Sequence, residues 1–157
     1  MGLIENFQRE RVRDVPLREA VKVSPDLSVS AAVELMQEKQ LGCAVVVDDQ
    51  DRPLGIFTER TVIDLLLQQS GDMDAISVKD HLDPNWSCVR EDDPLSTLVE
   101  AVQDKGARFL CVTDADGRVI ALTGQKGLAE YVADHFPRQV MVQRLGGKPG
   151  TVEREGA

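Results

Sequence analysis

The sequence predicts an α+β, sandwich-like body of two β-α-β-β-α units packed through their sheets with pseudo-twofold symmetry. The first observation is a repeat: residues 12–69 align without a gap to residues 78–135 at an offset of 66. The match holds twelve identities over 58 positions, roughly three times what ordinary residue frequencies give by chance. Second, each copy reads as a helix, two strands and a helix behind a short extended lead-in. Third, one such unit leaves a sheet face bare, and a second copy packed against it buries both.

The elements follow in chain order. Residues 1–11 begin an amphipathic arm, with Leu3, Ile4, Phe7 and Val12 set among charges, suited to lie across the body or a second subunit. The first repeat, residues 12–69, has its extended lead-in at Val21 to Val23. Ser28 can cap the helix that follows, whose stripe is Val29, Ala32, Val33 and Met36. After Gly42, Cys43-Ala44-Val45-Val46-Val47 is a buried strand, Asp48 to Asp51 a turn, and Leu54 to Phe57 the returning strand. Glu59 to Gln69 forms a helix with Val62, Leu65 and Leu66 inward. A short polar linker, residues 70–77, leads to the second repeat, residues 78–135. There the lead-in is Ser87 to Val89, Asp93 and Pro94 open the first helix, and strands fall at Phe109 to Thr113 and Val119 to Leu122. In the tail, residues 136–157, Gln139 to Leu145 alternates like a strand, and Gly146 to Gly150 then breaks order.

Composition narrows the function. The net charge of −9 and pI near 4.7 repel phosphodiester backbones and acidic membrane surfaces, which argues against nucleic acid or a membrane as partner. The start, Met1 to Asn6, carries neither a secretory n-region nor a myristoylation signal, so the chain reads as cytoplasmic. Cys43, Cys88 and Cys111 form no CxxC pair and lie out of register with His81 and His135, so no metal site is expected. Cys43 and Cys111 sit in apolar runs as small hydrophobes. Aromatics make up only 4%, so Val, Leu, Ile and Ala build the core, and Trp86 has a packing role. No nucleophile, base and acid recur at a shared place in the two repeats, so no enzyme activity is expected. The tail lacks the first glycine of a phosphate-binding loop.

The order of elements, the Val23-Ser24-Pro25-Asp26 lead-in, the strand from Gly42 to Asp48 and above all Gly55-Ile56-Phe57-Thr58-Glu59-Arg60 resemble CBS domains, here as the tandem pair called a Bateman module. The resemblance covers about residues 12–135 and implies a homodimer and a binding cleft for an adenosine-containing ligand such as AMP, ADP or ATP. Its signature is a glycine, two apolar residues, Ser or Thr, two variable residues and Asp. The hydroxyl stands at a helix N-terminus that receives phosphate, and the Asp accepts from the ribose hydroxyls. Gly55, Ile56, Phe57 and Thr58 match, Arg60 adds a cation, and Thr61 stands where the Asp would be. The same resemblance places Ser24 beside the base, with Gly42, Cys43 and Ala44 on the facing strand. In the second repeat Ala121, Gly124 and Gly127 hold the signature positions, with Arg90, Arg108 and Lys126 as cations. The expectation is one candidate site and one structural partner, in a stand-alone regulatory module that needs no cofactor and acts on a partner protein. The alternative is a non-catalytic interaction scaffold with a degenerate site.

Overall fold

In the computed structural model, which describes residues 2–136, the chain runs α1 (Leu3–Arg9), β1 (Lys22–Val23), α2 (Val29–Lys39), β2 (Cys43–Val47), β3 (Pro53–Thr58), α3 (Glu59–Leu67), β4 (Ser87–Arg90), α4 (Leu95–Gln103), β5 (Phe109–Thr113), β6 (Val119–Gly124) and α5 (Gln125–His135). Short 3-10 turns at Val12–Asp14 and Val78–His81 precede the two lead-ins. The strand expected at Gln139 to Leu145 lies outside the described residues.

The strands make two three-stranded sheets, β1-β2-β3 and β4-β5-β6, each with its first pair parallel and its second antiparallel. The repeat extends to register. Cys43 faces Thr58 as Phe109 faces Gly124, and each ladder slips at the same step, after Val46 and after Val112. A slip of one residue would have turned every side chain to the wrong face. Cys43, Val45 and Val47 therefore point into the layer between the sheets with Ile56, Cys111, Val119 and Leu122, while Ala44 and Val46 point towards the helices. The turns repeat as well. Asp48 Oδ1 accepts from the amides of Gln50 and Arg52 at 2.8 and 2.9 Å, and Asp114 Oδ1 from Asp116 and Arg118 at 2.9 and 3.0 Å. An aspartate that bonds its own loop explains the identity at this position.

The segments that open the two repeats ahead of the lead-ins are exchanged. Val12 and Val15 are buried in the core of the second sheet and its helices, whereas Val78 is buried in that of the first. The amides of Val12 and Arg13 donate to the carbonyls of Asp93 and Glu91 at 3.0 and 3.1 Å, and those of Val78 and Lys79 to Leu27 and Pro25 at 3.0 and 3.2 Å. Ion pairs Arg13–Asp92 and Lys79–Asp26 repeat the symmetry on the surface. Further along, Arg18 exchanges two backbone hydrogen bonds with Leu122, and the Asp83 amide donates to Ile56. Each repeat's opening segment thus runs along the third strand of the other repeat, while the lead-ins β1 and β4 pair within their own.

The arm lies across the second unit, where Leu3 and Phe7 pack and the rings of Phe7 and Tyr131 are 6.2 Å apart. On the first unit the linker takes that place through Met73 and Ile76, and Met73 is the residue one offset of 66 from Phe7.

Two local expectations need correction. Ser28 does cap α2, accepting from the Ala31 amide at 3.2 Å, but Asp93 does not cap α4. Its carboxylate accepts from the Arg90 amide at 2.8 Å, and α4 starts at Pro94 with no side-chain cap. Thr58 likewise gives α3 no side-chain cap. Leu66, expected inward, is 61% exposed beside Ile63 and Leu67, because Leu65 and Val62 already occupy the inner stripe of α3.

Candidate functional site

Where β3 runs into α3, the chain opens a cleft of about 410 Å³, within the usual range for small-ligand sites. One wall is Thr58 to Thr61 with Asp64, the second Asp83 to Asn85, and the third Gly106 to Phe109 of the other repeat. Thr58 sits at the end of a buried strand, and its hydroxyl faces that of Thr61 at 3.4 Å. Both hydroxyls thus lie at the positive end of α3, whose first-turn amides have no partners within the helix. The second wall is held by the Asp83 amide on Ile56 at 2.8 Å, while the Asp83 carboxylate accepts from the Asn85 amide at 2.9 Å.

A related cleft of about 380 Å³ lies at the start of α5. Pro16 and Arg18, Gln40 to Gly42, and Leu122 to Gly127 line it, and it shares Glu59, Arg108 and Phe109 with the first. Its missing signature groups have been replaced by backbone. A Cβ at Gly124 would collide with the Arg108 carbonyl, and one at Gly127 would lie 2.7 Å from Thr123 Oγ1 and 2.9 Å from the Pro16 carbonyl oxygen. Gly55 has a similar reason: Leu82 packs where its Cβ would be, with Leu82 Cδ1 2.5 Å away.

The clefts differ in charge. Arg60 and Arg108 in the first face Glu59, Asp64 and Asp83, whereas Arg18, Arg108 and Lys126 in the second face Glu59 alone. Arg18 is itself bound to Glu130 at 3.1 Å. The cation-rich cleft is therefore the one whose signature side chains are gone. A third groove, about 460 Å³ along β1 and α2, lies apart from both signature segments.

Of the residues singled out in the sequence, Thr58, Arg60 and Thr61 come together in the first cleft. Gly42 lines the second. Cys43 and Ile56 are buried between the sheets and Ala44 beneath the helices; burial pushes the Cys43 thiol up to about 12. Ser24 is at the far end. Continuing the parallel register of β1 sets it opposite Val47, while Thr58 is opposite Cys43, so about 13 Å of strand separates them at roughly 3.3 Å per residue. The stretch beside Thr58 is instead Asp83 to Asn85. No sequence motif marks it; the one signal is the apolar identity of Val12 and Val78, which belongs to the exchanged opening segments. Among the described residues no group of three or more His, Cys, Asp or Glu could hold a metal, and no helix is long and apolar enough to cross a membrane.

Residues 12–68 match the CBS domain family model. Those residues are a CBS domain, and the two units together have the fold of a tandem CBS-domain pair. An uncharacterised protein of Methanopyrus kandleri is 27% identical over 119 residues, covering 76% of this chain and 61% of that protein, so the chain spans less than two thirds of this relative. A CBS domain protein from Pyrobaculum aerophilum, complexed with AMP, superposes with a TM-score of 0.69 at 17% identity, over 88% of this chain and all of that one. The CBS domain pair of a protein solved with 5′-methylthioadenosine and S-adenosyl-L-methionine gives 0.69 at 15% identity, over 80% and 97%. Such identities speak for the fold.

Proposed function

We propose that this CBS pair is a regulatory module that senses an adenosine-containing ligand of the AMP, ADP or ATP type and passes its state to a partner protein. The observation that carries the reading is the convergence of the Thr58 and Thr61 hydroxyls at the start of α3, in a cleft flanked by Arg60 and Arg108. It is supported by the shared fold with CBS pairs solved with AMP or with 5′-methylthioadenosine and S-adenosyl-L-methionine. Thr58 and Arg60 hold phosphate, Thr61 the ribose, and Pro84, Ala107 and Phe109 bound the base. Pairing through the exposed α3 face, with Ile63, Leu66 and Leu67, makes the working unit a cytoplasmic homodimer that shifts between two arrangements only by differential ligand affinity.

Thermal melts with AMP, ADP, ATP and S-adenosylmethionine test it. Ligand at a hundred times its Kd adds about 2.7 kcal/mol, which is roughly 5–10 °C for a chain of this size. Thr58→Ala should remove most of that shift. No shift with any of the four would favour the scaffold reading, for which the three carboxylates of the first cleft speak.

A further inference from the structure

The two clefts share one cation. The backbone of Arg108 belongs to the second cleft, since its carbonyl accepts from the Gln125 amide at 3.2 Å at the start of α5. Its side chain reaches the first, where Nη1 donates to Glu59 Oε1 at 2.7 Å on the opening residue of α3. The guanidinium lies 5.0 Å from the centre of the Phe109 ring, and that ring packs where a side chain on Gly42 would stand. The position related to Arg108 by the repeat is Gly42, and the one related to Glu59 is Gln125. Nothing on the other side of the pseudo-twofold axis duplicates this ion pair. Both partners are open to solvent, at 63% and 48% exposure, so the pair is weak and easily broken.

We propose that Arg108 is the common anion-recruiting residue of both clefts, held in reserve by Glu59. A phosphate in either cleft takes the guanidinium from Glu59 and so withdraws it from the other cleft, where the released carboxylate also disfavours a second anion. Planar, bidentate pairing with phosphate suits Arg108 better than one hydrogen bond to Glu59. The phosphate-bearing ligand rests on the reading proposed above; the competition between Glu59 and a phosphate for Arg108 does not require an adenosine.

The experiment follows the Arg108 Nε–Hε resonance and the Kd during titration with AMP and, separately, with inorganic pyrophosphate, in wild type, Glu59→Gln, Arg108→Gln and the double variant. Glu59→Gln should tighten both anions about two- to fivefold, the range set by an exposed ion pair, and Arg108→Gln should weaken them. In the Arg108→Gln background the gain from Glu59→Gln should shrink to what removal of the carboxylate's own repulsion supplies. An undiminished gain there means that Glu59 only repels the anion, and overturns the proposal. AMP binding equally to wild type and Glu59→Gln also overturns it while leaving the sensor reading in place. If AMP binds no better than pyrophosphate yet both respond to Glu59→Gln through Arg108, the shared cation stands and the adenosine reading fails. Should neither anion bind nor move the resonance in the forms that keep Arg108, the shared cation and the AMP reading both fall.

Discussion

One substitution made at matched positions separates a signature position that has room for a side chain from one that has none. Thr61 and Gly127 both stand where the signature calls for aspartate. Thr61 is half-buried on the cleft wall, and its hydroxyl meets only that of Thr58, at 3.4 Å. An aspartate there occupies the third position of α3, where a carboxylate gains about 0.3–1 kcal/mol from the helix dipole. The fold should therefore tolerate Thr61→Asp with a Tm within about 3 °C of wild type. Its two oxygens would accept from the ribose pair. Charge-assisted bonds are worth roughly 1.5–3 kcal/mol each before solvent exposure is discounted, and about half of one bond, 1.4 kcal/mol, is tenfold in Kd. Adenosine should bind about tenfold tighter. AMP should gain less, because the new carboxylate joins Glu59, Asp64 and Asp83. Gly127→Asp meets the opposite conditions: its Cβ alone falls 2.7 Å from Thr123 Oγ1 and 2.9 Å from the Pro16 carbonyl oxygen, and its carboxylate faces that same carbonyl. Overpacking costs about 1–3 kcal/mol, and an unpaired buried charge costs more, so Tm should fall by roughly 8 °C or more. Calorimetry for binding and circular dichroism for melting measure both. A Thr61→Asp protein that folds without tightening adenosine would refute the placement of the ribose, and an unharmed Gly127→Asp would refute the close packing around Gly127.

Four further outcomes are expected. Burial pushes the Cys43 and Cys111 thiols up to about 12. The unfolded chain therefore loses these protons first, and stability is retained below pH 9 and falls between about pH 9 and 12, with a slope approaching 1.4 kcal/mol per pH unit for each thiol. Alkaline denaturation of a Cys43→Val, Cys111→Val double variant should show a flatter decline. A disulfide reagent should label one thiol, the exposed Cys88, in the native protein and three in denaturant; fast native labelling of all three would contradict the burial. Gly55→Ala should cost about 1–3 kcal/mol against Leu82, and Leu82→Ala should recover much of that in the double variant, giving a coupling of at least 0.5 kcal/mol in a double-mutant cycle. Phe7→Ala should lower Tm by several degrees through lost packing on Tyr131, whereas Ile4→Ala, at a residue 74% exposed, should leave it within about 1 °C.

Much of the fold was legible because the features that specify it are local and occur twice. The run Cys43 to Val47, the asparate-led turn after Asp48 and the serine-capped stripe of α2 each carry their own signal, and the offset of 66 set the element order of both copies. The cap of α4 was misread because Asp93 had a nearer donor in the Arg90 amide. Leu66 was misread because apolar spacing alone does not say which of two adjacent leucines a helix turns inward. The site was half legible. Thr58, Arg60 and Thr61 follow one another within a single turn, so their proximity is written in the chain. Ser24 was set beside them by its resemblance to a lead-in position, and strand direction carries it to the opposite end of the sheet.

The exchanged opening segments also decide how the divergence between the copies should be read. Were each repeat to build its own cleft, the loss of Thr and Asp at Gly124 and Gly127 would disable one site and leave the other untouched. Here each cleft takes its signature segment from one repeat and walls from the other. The arginine at position 108, in the repeat that lost its hydroxyls, reaches the cleft that kept them, while Gly42 of the first repeat leaves room for Phe109 between the two. A substitution at Glu59, Arg108 or Phe109 therefore acts on both clefts. The unit on which ligand affinity depends is the pair, and the copies diverged as parts of one site system in which a single guanidinium is shared.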